Sequence, residues 1–141
     1  MLKKLISIYV ALIFFFNTSN SLSIENKILV KIENQIITSL DVNNEYKYLI
    51  ALNPSLKSSK KKDIFQFSKK SIIQEKIKKI EIEKNFNNPK IPQEYFEIII
   101  KNIYSKIGLS NLDEFKKYLT RNNVDYENVK DKLKTEALWN E

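Results

Sequence analysis

Residues 30–42 read VKIENQIITSLDV. Val30 and Ile32 precede the polar pair Glu33-Asn34, and Ile36, Ile37 and Thr38 follow it. Two β-branched runs across a two-residue polar break predict a hairpin, Lys27–Ile32 against Gln35–Thr38. Asn34 is the residue of the pair that tolerates a positive φ, although the usual glycine after it is missing, so the turn type stays open. Ser39 then offers a helix N-cap, and Asp41 in the first turn complements the helix dipole. A lone two-stranded hairpin is marginal in water and needs a covering layer. The expected fold class is therefore mainly α: a small N-terminal β-hairpin packed on about five helices.

Outward from this stretch the chain reads as helices. Val42, Tyr46, Leu49 and Ile50 recur at helical spacing until Asn53-Pro54 stops them. Ser55 to Lys62 is a polar connector. A long helix is expected from Asp63 to about Asn85, with Phe65, Ile72, Ile73, Ile77 and Ile80 inward and Phe67 off that stripe. Pro92 suits the first position of the next helix, where Phe96, Ile99, Ile100, Ile103 and Ile107 form an amphipathic face. Gly108, the single glycine, fits the residue just past its end. Asn111 to Glu114 has the pattern of a capping box, ahead of Leu112, Phe115 and Leu119. Arg121-Asn122-Asn123 closes that short helix. Asp125 caps a last one with Tyr126, Val129, Leu133 and Ala137 on one side.

The N-terminus has the layout of an export signal. Lys3 and Lys4 precede an apolar run from Leu5 to Phe16, and Ser21-Leu22-Ser23 is a small-x-small cleavage site. Residues 1–23 thus read as a signal peptide and residues 24–141 as one domain. The apolar run is shorter than the roughly 20 residues of a membrane span, so stable membrane insertion after cleavage is not expected. A retained anchor, as in a membrane-anchored foldase, is the other reading of the same run. An exported chain with no cysteine carries neither disulfides nor a lipid anchor at the cleavage site, and a bacterial periplasm fits it best.

The net charge is +7, falling to +5 once Lys3 and Lys4 are set aside. The basic residues are lysines apart from Arg121, whereas readers of nucleic acid rely on arginine forks, so no nucleic-acid partner is expected. Histidine and cysteine are both absent, which removes the commonest general base, the thiolate nucleophile and most zinc sites. Glu81/Glu83 and Asp113/Glu114 lie among lysines and read as solvated helix faces. No catalytic, cofactor or metal residues are proposed, and enzymatic activity is not expected. Besides Phe67, three apolar residues fall outside the core stripes: Tyr95, Ile98 and Trp139. They read either as packing against neighbouring chain, the commoner case for scattered apolar side chains, or as contacts for apolar client segments.

With these elements placed, KILVKIENQIITSLDVNNEY (residues 27–46) resembles the opening of SurA-type periplasmic chaperones. The matching features are Glu33-Asn34 at the turn, Ile37-Thr38-Ser39 at the helix start, and Asp41. GLSNLDEFKKYLTRNNVDYENVKDKLKTEALWNE (residues 108–141) is similar to the later helices of that N-terminal domain through Leu112, Phe115, Leu119, Val124 and Tyr126. Asn123 stands where the family often has glycine, and Ile91-Pro92 replaces a Ser or Thr cap. The resemblance implies an ATP-independent chaperone that holds unfolded outer-membrane β-barrel proteins or other exported polypeptides. The family's parvulin-type prolyl isomerase domains have no counterpart in these residues, so isomerase activity is not expected of them. An envelope adaptor that binds one folded partner is the alternative from another functional class. The domain is expected to be only marginally stable, with Trp139 lacking a partner.

Overall fold

The computed structural model describes residues 26–141, so the expected signal peptide, residues 1–23, lies outside the described residues. Strands β1 (Ile28–Ile32) and β2 (Gln35–Thr38) pair antiparallel. Ile32 faces Gln35, Lys31 faces Ile36 and Val30 faces Ile37, after which a one-residue bulge brings Ile28 opposite Thr38. The positive φ of the turn falls on Glu33 (50°) and not on Asn34. Left-handed backbone costs a non-glycine residue roughly 1–2 kcal/mol. The Glu33 carboxylate gains an ion pair with Lys84 at 2.6 Å, a contact that glycine could not make.

Helix α1 (Ser39–Leu52) starts one residue earlier than Ser39 as a cap would allow. Thr38 is the N-cap: its Oγ1 accepts from the Asp41 N–H at 3.3 Å, and Asp41 Oδ2 accepts from the Thr38 N–H at 2.7 Å. This reciprocal box satisfies two backbone donors that a bare helix end leaves open. Ser39 turns back to the sheet, its N–H donating to the Lys27 carbonyl at 2.8 Å. The last residue of β2 is thus also the cap of α1.

A short 3-10 turn (Pro54–Ser58) occupies part of the expected connector and leads to α2 (Lys61–Asn85). At 25 residues α2 is about 37 Å long, and it contacts both α1 and the last helix. Its inward residues are Ile64, Ser68, Ile72, Ile80 and Ile82, while Phe65 and Ile77 are exposed. The expected stripe was therefore misplaced on its sides. A helix packed against two neighbours buries more than one line of residues, and polar Ser68 and Ser71 occupy inward positions that a search for apolar periodicity passes over.

Helix α3 (Gln93–Lys106) takes Pro92 as its N-cap, not as its first residue. Pro92 has ψ of 134°, and its carbonyl accepts from the Phe96 N–H at 3.1 Å. At the other end Gly108 has φ of 82°; its N–H reaches the Ser105 carbonyl and that of Leu109 reaches Tyr104, the two bonds of a Schellman motif. Helix α4 (Leu112–Arg121) ends the same way without glycine. Asn123 carries φ of 54°, its N–H donates to Thr120, and the Val124 N–H donates to Leu119, each at 3.0 Å. Asparagine is the side chain that visits this region most readily after glycine, which is why Asn123 can end the helix here. At the start of α4, Asn111 accepts from the Glu114 N–H, while Glu114 reaches back to Ser110, one residue before the position a capping box requires.

Helix α5 (Tyr126–Asn140), capped by Asp125, packs on α2, α3 and α4. Phe115 and Leu119 of α4 are fully buried with Ala51, Phe96, Ile100, Val124, Val129 and Leu133 in the larger apolar cluster. A smaller cluster joins Ile37 of the hairpin to Val42 and Ile72, with Val30, Ile32 and Ile73 around it. Among the described residues the architecture is mainly helical, one small hairpin followed by five α-helices, and the hairpin is covered by α1 and α2.

Candidate functional site

Each residue advances a helix by about 100°, so burying Phe96 and Ile100 of α3 fixes where their neighbours point. Tyr95 is 47 % exposed and Ile98 is 55 % exposed, one turn apart on the outer side. They share that side with the exposed polar residues Glu94, Lys101 and Asn102. Both lie where the sequence places them, off the core stripe.

Trp139 on α5 has a different setting. It is 47 % exposed, but Lys78 Nζ of α2 lies 5.9 Å from the centre of its ring. That lysine is held in turn by both carboxylate oxygens of Glu136, at 2.6 and 2.8 Å. The expectation that Trp139 lacks a partner is corrected: an ammonium group with a fixed counter-ion sits on its face. The three candidates therefore divide, Tyr95 and Ile98 on the outer face of α3 and Trp139 on the seam between α2 and α5.

That seam continues into an ionic network that sequence reasoning missed. Glu45 of α1 is 2 % exposed. Its Oε1 accepts from Ser71 of α2 at 2.6 Å, and its Oε2 lies 2.7 Å from Lys132 Nζ of α5, at ion-pair distance but without the angle of a hydrogen bond. Lys132 also pairs with Glu75 of α2 and stands over the Tyr48 ring at 5.1 Å. Burial, reinforced by the negative charges of Glu45 and Glu136, pushes the Tyr48 phenol well above its ordinary pKa. A cleft of about 300 Å³ opens beside this group, with Asp41, Glu75, Lys79 and Asp131 among its walls.

One lysine answered by two carboxylates, one of them sealed from water, joins three helices at a single point. Taking such charges out of water is expensive unless each is answered. Lys132, Glu45 and Glu75 engage one another, so the network offers rigidity and register, not an unengaged amine or carboxylate for chemistry. Among the described residues no group of three or more metal-ligating side chains forms. The signal for the network was present in the spacing: Glu45 is three residues from buried Val42, and Lys132 is three residues from buried Val129. A charge set into a buried helical line needs an opposite charge across it. The carboxylates Glu83, Asp113 and Glu114 are exposed, and Glu81 pairs with Lys84 at 3.6 Å, as solvated helix faces do.

Among the described residues no helix is long and apolar enough to cross a membrane. Compared with protein-family models, curated proteins and solved structures, the chain matches none of them.

Proposed function

We propose that this chain is an ATP-independent holding chaperone of the SurA type, working in the periplasm on unfolded outer-membrane β-barrel precursors. The observation that carries the reading is the outer face of α3. There Tyr95 and Ile98 present apolar surface on a helix whose opposite side is already buried in the core. Trp139, half exposed on the seam between α2 and α5, is a second and separate apolar place.

The physics of such contacts suits holding and not tight binding. Fully burying one large apolar side chain is worth about 1.5–3 kcal/mol. Each of these residues is already about half covered, which leaves roughly 1 kcal/mol apiece, far short of the ~8 kcal/mol of a micromolar complex. A client must therefore touch several such places at once, which a long unfolded chain does and a short peptide does not. Release needs no fuel, because every individual contact is weak.

The test is light scattering from a urea-denatured outer-membrane barrel protein diluted into buffer with and without the chain. Dose-dependent suppression without nucleotide, weakened by Tyr95→Ser with Ile98→Ser, is the expected result. No suppression by a chain whose circular dichroism shows it folded would overturn the holding role and leave the single-partner adaptor.

A further inference from the structure

The start of α2 and the turn before it carry a charge pattern that packing does not use. Between Lys57 and Lys70 there are six lysines, at 57, 60, 61, 62, 69 and 70, against Asp63 alone. All but Lys69 are exposed. Of the later lysines of the same helix, two are paired: Lys78 is bound by Glu136, and Lys84 by Glu33 and Glu81. The carboxylates that cross the fold go elsewhere: Glu33 of the hairpin to Lys84, Glu45 of α1 to Lys132, and Glu136 of α5 to Lys78.

The placement also works against the helix. Lys60 is the N-cap of α2 and makes no side-chain capping bond, and Lys61 and Lys62 open the first turn, where Asp63 is the one acidic residue. The N-terminus of a helix carries partial positive charge, so three successive lysines there are unfavourable. Two phenylalanines accompany them. Phe65 is 36 % exposed and Phe67 is 53 % exposed, on either side of a face that bears Lys62, Gln66, Lys69 and Lys70.

We propose that residues 57–70 form a docking surface for an anionic phospholipid bilayer, with the lysines on the headgroup phosphates and Phe65 and Phe67 at the acyl boundary. Charge complementarity selects this occupant. A lysine is a compact point charge on a flexible stem, suited to a diffuse negative surface, and the patch contains no arginine fork of the kind that reads a defined phosphate geometry. Exposed phenylalanine adds the apolar anchor that a peripheral membrane contact uses. The contact is interfacial, leaves α2 folded along the surface, and does not depend on the chaperone reading.

The test is flotation of the full chain with vesicles of phosphatidylcholine, with and without phosphatidylglycerol. Residues 1–23 are common to every variant, so the readout is the increment that the anionic lipid adds. The increment is expected to be present at low salt and lost in concentrated salt, where the screening length falls to about 3 Å. Each lysine near such a surface is worth about fivefold in partition, so K60E/K61E/K62E should lose at least about a hundredfold of the increment from the three lost lysines, before repulsion of the new carboxylates. The same variant should melt at a higher temperature, because acidic residues suit that helix end. F65S/F67S should lower partition while keeping its salt dependence. Equal partition into both vesicle types, or an unchanged increment in the charge-reversed variant, overturns the proposal. So does binding to an oligonucleotide of matched charge without binding to vesicles.

Discussion

The two sides of this small domain are held together in different ways. On one side α3, α4 and α5 close over Phe115 and Leu119, both fully buried among apolar and aromatic side chains. On the other side three apolar residues, Ile37, Val42 and Ile72, meet beside a buried glutamate and a lysine shared by two carboxylates. The first arrangement gains free energy from area removed from water and tolerates many solutions of similar volume. The second gains little net energy, because desolvation offsets the attraction, but it accepts only one placement of α1, α2 and α5. One side supplies stability and the other supplies register.

Substitutions can break or sharpen that contrast. Phe115→Ala is expected to cost about 3–5 kcal/mol, the usual range for emptying a sealed aromatic site, and urea unfolding measures it directly. Lys132→Met should cost roughly 3 kcal/mol, below the top of the range for a broken buried pair because Lys132 and Glu75 keep some solvent contact. The informative variant adds Glu45→Leu and Glu75→Leu to Lys132→Met. Recovery to within about 1 kcal/mol of the parent is expected, since the uncompensated charges are then gone. A neutral Lys132→Met would remove the distinction between the two sides altogether.

Smaller effects test the hairpin side. Thr38→Ala removes the α1 cap and should cost about 1 kcal/mol, read from the same unfolding curves. Lys84→Ala breaks an ion pair whose two side chains are both about half exposed, so the urea midpoint is expected to stay where it is. A clear fall in the midpoint would mean that the Glu33 turn is clamped onto α2 more firmly than surface pairs are.

The same contrast governs what could be read from sequence. The face of α3 and the short stripe of α4 follow helical periodicity because each packs one side on an apolar core, and Gly108 marks an end that only backbone geometry demands. The hairpin was legible from two β-branched runs across Glu33-Asn34, and the bulge between Ile28 and Val30 was not. On α1 and α2 the inward positions include Glu45, Ser68 and Ser71, and a reading that equates inside with apolar slides the stripe to Tyr46 or Ile77 instead. The cap at Thr38 and the positive φ at Glu33 were each misassigned by one residue, where neighbouring side chains of similar chemistry compete. Tyr95 and Ile98 were legible as outliers because their helix has a single buried side. Trp139 was legible as an outlier but not as a partner of Lys78, since nothing local relates residues 78 and 139.

Thr38 belongs to two elements at once, and this has a consequence for motion. The hydrogen-bond ladder of the hairpin passes through Ser39, whose N–H reaches the Lys27 carbonyl, into the first residue of α1. There is no loop between sheet and helix in which rotation could be absorbed. Peeling β2 from β1 withdraws Thr38 from Asp41 and opens the first turn of the helix in the same event. Amide exchange in that turn should therefore keep pace with exchange in the strands and run out of step with the far end of α1.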